Sequence, residues 1–335
     1  MENMDKSKNT SIEKQTPLDR LNYSGELGLV INRLTSAYEV GSPTSFSVIG
    51  IGYEDCNVVI ETPSGKYVAK IFSKDRNPEA IARYSTIMEK AVEARVNHPP
   101  LIKTASGEVV YSDAEANGIS MVLMKFVDGQ TFLELDRAPD DEEQKAVIEQ
   151  AAKVNGIDYH PPYLFDSWAI PNIKAMFEGT KQFIQPEDIK LIEQAMVQFA
   201  KVPVESLPHC FVHGDFTKAN VMKGNDGKIY ILDFSVANWY PRIQELAVIA
   251  ANLLHKESDS KSLRDRTELI VSEYDKLNPL TSEEKQHLYA YALAGVAMEF
   301  MGGHQEKFIK GNVTEETEYW LNLGRNGLRK ELGIK

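Results

Sequence analysis

The chain has 335 residues, 42% of them apolar, and a formal net charge of −12. That length suits two domains or one two-lobed unit, and the acidic balance argues against a nucleic-acid partner, whose phosphates require clustered lysines and arginines. Cys56 and Cys210 stand far apart, no apolar run reaches membrane-spanning length, and the polar start MENMDKSKNTSIEKQTP lacks a signal peptide's apolar core, so the expectation is a soluble cytoplasmic protein without disulfides or a membrane partner.

Residues 1–24 read as a mobile tail. Leu27, Val30, Ile31, Leu34 and Tyr38 then recur at helical spacing and predict an amphipathic helix over 25–39, ended by Gly41-Ser42-Pro43. Segments 44–50, 56–62 and 66–72 are short and rich in strand formers, with Pro63-Ser64-Gly65 as the turn between the last two. A helix opened by Pro78 follows over 78–95, and 108–112 and 119–126 add two more strands. This predicts an N-lobe over 25–127: a five-stranded antiparallel sheet with one helix inserted after its third strand. Beyond Gly129 helical periodicity dominates, at 139–154, 170–183, 186–200, 242–255, 261–276, 281–301 and 315–331. The fold class is α+β, with a mainly helical C-lobe over 128–335.

One stretch of that helical lobe is different: HGDFTKANVMKGNDGKIYILDF, residues 213–234. Asn225-Asp226-Gly227 makes a turn, and Lys228–Leu232 alternates as a strand that ends at Asp233. Folding this hairpin brings Asn220 and Asp233 together. Their oxygens are hard ligands suited to Mg²⁺, while Asp215 stands apart, free to take a proton from a hydroxyl. Each residue alone is an ordinary loop residue. The whole string has the spacing logic of a kinase catalytic loop and its metal-binding aspartate.

That logic demands a lysine on the third strand, and Tyr67-Val68-Ala69-Lys70-Ile71-Phe72 supplies it. A lysine in an apolar strand is costly unless paired or functional. Its expected partner is Glu89 on the following helix, ahead of Glu93 one turn on. Val68 and Met222 are the apolar plates expected around adenine, and the hinge would read its edge through the Lys125 carbonyl and the Val127 N–H. Gly50 and Gly52 form a phosphate loop without a third glycine, whose backbone N–H groups can still cradle phosphate.

HGDFTKANVM resembles the H-G-D-x-x-x-x-N-hydrophobic loop of the aminoglycoside phosphotransferase and choline kinase-like superfamily, and ILDFSVANWYPRIQELA is similar to its hydrophobic-Asp-Phe segment with a proline and an acidic-Leu-Ala helix start. The resemblance implies a protein kinase-like two-lobed fold and ATP-dependent transfer to the hydroxyl of a small molecule. Asp215 would be the base, Asn220 and Asp233 would hold Mg²⁺, Lys70 would grip the α- and β-phosphates, and His213 would brace the loop. Lys218 is open between a γ-phosphate contact and an ordinary loop lysine. Asp55 falls where asparagine is common in the relatives, and its acid is expected to point away from phosphate. Ser235 follows Asp-Phe where glycine is frequent. GYEDCNVVIETPSGKYVAKIF is similar to homoserine kinase-type, hydroxylysine kinase-type and bacterial stress-kinase sequences. Competing readings are therefore a protein Ser/Thr kinase and an inactive nucleotide-binding pseudokinase, although Lys70, Asp215, Asn220 and Asp233 are all present.

For the acceptor, Trp239, Tyr240 and Arg242 follow the metal aspartate closely, and the arginine would suit a carboxylate-bearing substrate. Packing of the lobe is the alternative use of all three. Asp166-Ser167-Trp168 is a second candidate wall, and Glu299 and His304 are further candidates from near the C-terminus.

Overall fold

The computed structural model describes residues 16–50, 52–256 and 261–333. The expected tail lies mostly outside the described residues. Its last part is not free: Pro17–Arg20 forms a 3₁₀ turn, and the buried Arg20 donates to the Asp55 carbonyl at 3.1 Å.

Helix α1, Leu27–Ala37, precedes strands β1 Ser45–Val48, β2 Cys56–Thr62 and β3 Gly65–Ile71. Helix α2, Pro78–Glu93, is followed by β4 Val110–Asp113 and β5 Ile119–Lys125. The sheet order is β1-β2-β3-β5-β4, every pair antiparallel, as the alternation predicted. Lys70 therefore sits on the central strand, paired with Asn57 on one side and Val122 on the other. Period two sends Tyr67, Ala69 and Ile71 to the face covered by Val30, Ile31 and Leu34 of α1. Val68, Lys70 and Phe72 face the opposite side. There Tyr84, Ile87, Met88 and Ala91 of α2 join a core that continues into the helical lobe.

The C-lobe opens with β6 Gly129–Thr131 and α3 Asp141–Asn155, then α4 Ile173–Thr180 and α5 Pro186–Phe199. Next come β7 His209–Val212, β8 Val221–Gly224, β9 Ile229–Ile231 and β10 Asn238–Pro241. The last helices are α6 Ile243–Val248, α7 Leu263–Tyr274, α8 Ser282–His304 and α9 Glu315–Leu332. β6, β8 and β9 form one small sheet and β7 with β10 another. The two lobes are tied by Arg83 of α2, which donates to the Pro162 carbonyl at 2.7 Å and to the Ala237 carbonyl. Gly324 allows α9 to lie close on α8, since a Cβ there would meet the Phe300 backbone nitrogen at 2.4 Å.

Glu143 pins α3 to this frame. Its carboxylate accepts from Arg137 at 2.5 and 2.8 Å and from Lys223 of β8 at 2.6 Å, and it closes a capping box with Asp140. The Arg137 hydrogen bonds, against an opposing desolvation, hold its carboxyl down at about 2. A depressed folded value means stability that is present above the unfolded carboxyl range and lost as pH falls through it. Glu143→Gln should lower unfolding stability at pH 7 by about 2–3 kcal/mol, with the gap from wild type closing as pH drops from about 4.5 toward 2, in urea melts at several pH values. Equal stability at pH 7 would contradict the ledger.

Candidate active site

Lys70 is 3% exposed, so its charge must be met inside the protein. Its Nζ lies 3.1 Å from Asp55 Oδ2 and 2.8 Å from Asp233 Oδ1, and donates to Ser235 Oγ at 3.2 Å. It also rests over the Tyr84 ring. Burial opposes the charged form, but the two carboxylates outweigh it and raise the ammonium's pKa, so Lys70 stays protonated. Burial likewise opposes the Asp55 and Asp233 anions, yet Lys70 and Arg76 hold both carboxyls below the usual range.

Glu89 is not the lysine's partner. It pairs with Lys103 at 3.2 Å in solvent, and Glu93 pairs with Lys90 at 2.7 Å. The cause is the rotation of α2, whose inward stripe of Tyr84, Ile87, Met88 and Ala91 leaves 89 and 93 outside it. Asp55, expected to point away, takes the role instead. It is 5% exposed and also accepts from Arg76 Nε at 2.8 Å and the Ser73 N–H at 3.0 Å.

The catalytic-loop string folds as a connected unit. His213 Nδ1 accepts from the Asp215 N–H at 3.1 Å, so its proton sits on Nε2, which donates to the Leu232 carbonyl at 2.9 Å. Burial depresses its pKa to about 4 and keeps the ring neutral. Buried Glu245 of α6 accepts from the Gly214 N–H at 3.1 Å. The Leu232 N–H donates to the Asn220 carbonyl at 2.8 Å, which joins the two arms of the hairpin. Asn220 Nδ2 donates to Asp215 Oδ2 at 2.5 Å, and its Oδ1 accepts from no donor among the described residues. Asp233 has φ 56°, unusual for a non-glycine residue and the kind of strain found at functional sites. Ser235 holds it by donating to Oδ1 from both its N–H and its hydroxyl. Asp215 carries a raised pKa, first from burial and then from the charge of Asp233.

Asp55, Lys70, Asp215, Asn220, Asp233 and Ser235 line one cleft between the lobes, a cavity of about 420 Å³. Val68 and Met222 face it from opposite lobes, and Lys125, Val127 and Gly52 line it too. Gly52, at φ 99°, donates its N–H to Glu316 of α9 at 3.1 Å. Gly50 is exposed and does not line the cavity. Lys218 does not reach it either: its buried Nζ donates to Tyr319 Oη at 3.0 Å, and burial lowers its pKa to about 8.

The acceptor end differs from expectation. Trp239 and Tyr240 belong to β10, paired with Phe211 and Cys210. Trp239 stacks on His160, and Tyr240 joins a small core with Ala169 and Val212. Arg242 makes a double contact with Glu284 at 2.9 and 2.6 Å and binds Asn278 and the Pro279 carbonyl. None of the three faces the cavity. The Asp166-Ser167-Trp168 segment does, through Asp166 and Trp168, and so does Glu299, whereas His304 turns to the Phe300 carbonyl. π turns at Ile249–Leu253 and Gln305–Ile309 bring in Ala251 and Glu306.

A two-lobed fold with a buried lysine, two aspartates and an asparagine gathered in the cleft is the arrangement expected of a phosphotransferase. A family model described as "Phosphotransferase enzyme family" matches residues 45–280, and the chain belongs to that family. It is similar to a homoserine kinase of Brucella anthropi, 23% identical over 82% of this chain and 82% of that protein. Two solved structures share the fold. Spectinomycin phosphotransferase with ADP and spectinomycin has TM-score 0.66 at 12% identity, covering 90% of this chain and 97% of that one. Amicoumacin kinase with AMP-PNP and Ca²⁺ has TM-score 0.65 at 13% identity, covering 90% and 92%. The protein is a small-molecule phosphotransferase, and no described helix is long and apolar enough to cross a membrane.

Asp55→Asn should weaken ATP binding and cut kcat/KM at least about tenfold, because it leaves the buried ammonium with Asp233 as its one carboxylate and frees it to shift, while Glu89→Gln stays within about twofold. Calorimetric ATP titrations and steady-state kinetics on both variants decide it; the reverse ranking would return the lysine to α2.

Proposed function

We propose that the protein transfers the γ-phosphoryl group of ATP to a hydroxyl of a small molecule, with Asp215 as base and Mg²⁺ on Asn220 and Asp233. The observation that carries this reading is the convergence of Lys70, Asp215, Asn220 and Asp233 on one cleft, joined by short contacts.

Among the described residues no group of three or more His, Cys, Asp or Glu could hold a metal ion. Two hard oxygens are nevertheless uncommitted at the cavity: Asn220 Oδ1, whose amide nitrogen is the atom bound to Asp215, and Asp233 Oδ2, on a side chain 38% exposed. A pair of hard oxygens completed by phosphate and water is the coordination Mg²⁺ prefers. When bound, the ion would neutralise phosphate charge and align the leaving group.

The chain's own residues do the rest. Lys70, held by Asp55, offers a fixed positive charge to the phosphates. Val68 and Met222 enclose the adenine. Asp215 accepts the acceptor's hydroxyl hydrogen bond and takes its proton as the new O–P bond forms and the bond from the γ-phosphorus to the bridging oxygen breaks. ADP leaves with that electron pair. Little covalent work is asked of the protein, so alignment carries the rate. His213 and Glu245 serve by fixing the loop backbone around Asp215.

Asp215→Asn and Asp233→Asn should each lower turnover, measured as ADP release, by at least about a hundredfold, with Asp215→Asn leaving the thermal melt near wild type and Asp233→Asn lowering it because Lys70 loses a counter-ion. A folded Asp215→Asn enzyme with near-normal turnover would remove Asp215 from its role.

A further inference from the structure

Away from the adenine plates of the cleft, two carboxylates line the cavity, each with an oxygen that no described residue engages. Asp166 and Glu299 are each 9% exposed and both line it. Asp166 uses Oδ1 to accept from the Trp168 N–H at 2.9 Å, and Glu299 uses Oε1 to accept from Asn252 Nδ2 at 2.7 Å. Asp166 Oδ2 and Glu299 Oε2 have no donor among the described residues. Both line the same cavity as Asp215, the base candidate, and their charges add to the upward push on its pKa. Burial raises Asp166 to about 6 and Glu299 to about 7.

The positive side of this region is already committed. No arginine lines the cavity among the described residues. Lys310 is bound to Glu306 at 2.7 Å, and Lys70 to Asp55 and Asp233. Lys125 lies at the hinge, on the nucleotide side. Trp168 forms a wall beside Asp166. Gly302 makes room for it, since a Cβ there would fall within 2.2 Å of the indole. An aromatic face next to buried, half-satisfied carboxylates favours an ammonium and repels a carboxylate.

We propose that the acceptor is an amino alcohol whose protonated amine is held by Asp166 and Glu299 against Trp168, and that an α-carboxylate on the same skeleton is excluded. This rests on the phosphotransfer reading above and departs from the substrate in the name of the homoserine kinase relative. The selectivity is partly repulsive: a carboxylate would enter among acids, where Lys310, the cation acting on Asp166, is already paired with Glu306.

The test uses matched pairs that differ only by the carboxylate: homoserine against 3-aminopropan-1-ol, threonine against 1-aminopropan-2-ol, and serine against ethanolamine. Butan-1-ol is the uncharged control. ADP release and phosphorylated product are measured with Mg-ATP for wild type, Glu299→Gln, Asp166→Asn and Asp215→Asn. The amine should exceed its amino acid in kcat/KM by at least about tenfold in one or more pairs, and the Glu299 and Asp166 variants should raise its KM more than they lower kcat. Equal or better use of the amino acid, equal use of butan-1-ol, or no use of any amine overturns the proposal. Slow ATP hydrolysis without acceptor, lost in Asp215→Asn, reports separately on the phosphotransfer reading: its persistence beside a failed amine arm overturns the acceptor class alone.

Discussion

A lysine buried on the middle strand of a sheet cannot exist without anions, and here the anions come from both lobes. Asp55 enters from the start of β2, and Asp233 from the loop after β9. The pairing sets the distance between the sheet and the catalytic hairpin. Arg76 shares Asp55, and Ser235 shares Asp233, so neither carboxylate rests on one contact. Pairs like this rarely add much net stability, because desolvation offsets attraction. What they do is fix geometry, here a cation beside an aspartate with one oxygen still open to the cleft.

Much of this was legible in the chain. The five strands and the inserted helix followed from a change of period, two in the sheet and 3.6 in α2, with Pro78 and Pro63-Ser64-Gly65 as punctuation. Lys70 was found because the hairpin 213–234 demanded it. Glu89 has a suitable spacing from the lysine, but the rotation of α2 carries it away from the sheet. The stripe Tyr84, Ile87, Met88 and Ala91 is visible in the sequence, and it already places Glu89 off the sheet-facing side. Asp55 had been judged by its effect on phosphate alone, when the nearer charge was the lysine.

The acceptor end was harder to read for a different reason. Trp239 and Tyr240 sit close in sequence to Asp233, but a short strand with few alternations gave no sign that β10 would pair with β7. Arg242 is consumed by Glu284, forty-two positions away. The acids that do meet the cavity there, Asp166, Glu299, Glu306 and Glu316, come from three separate segments, the loop before α4, α8 with its π turn, and α9. Only the packing of α9 on α8, with glycine at the crossing, and the π turns that rotate Asn252 and Glu306 bring them together. The helix start Gln244-Glu245-Leu246-Ala247 was noticed as a motif, yet the Glu245 bond to Gly214 is a tertiary fact.

The account's central claim is that Lys70, anchored by Asp55, and the Asn220–Asp233 pair form one phosphate-and-metal site next to Asp215. A crystal structure with Mg²⁺ and AMP-PNP tests it most directly. The account predicts oxygens of Asn220 and Asp233 about 2.0–2.1 Å from the ion, Lys70 on the α- and β-phosphates while still bound to Asp55, and the γ-phosphate facing Asp215. A triphosphate bound elsewhere, a metal without Asp233, or Lys70 released from Asp55 to Glu89 would contradict it.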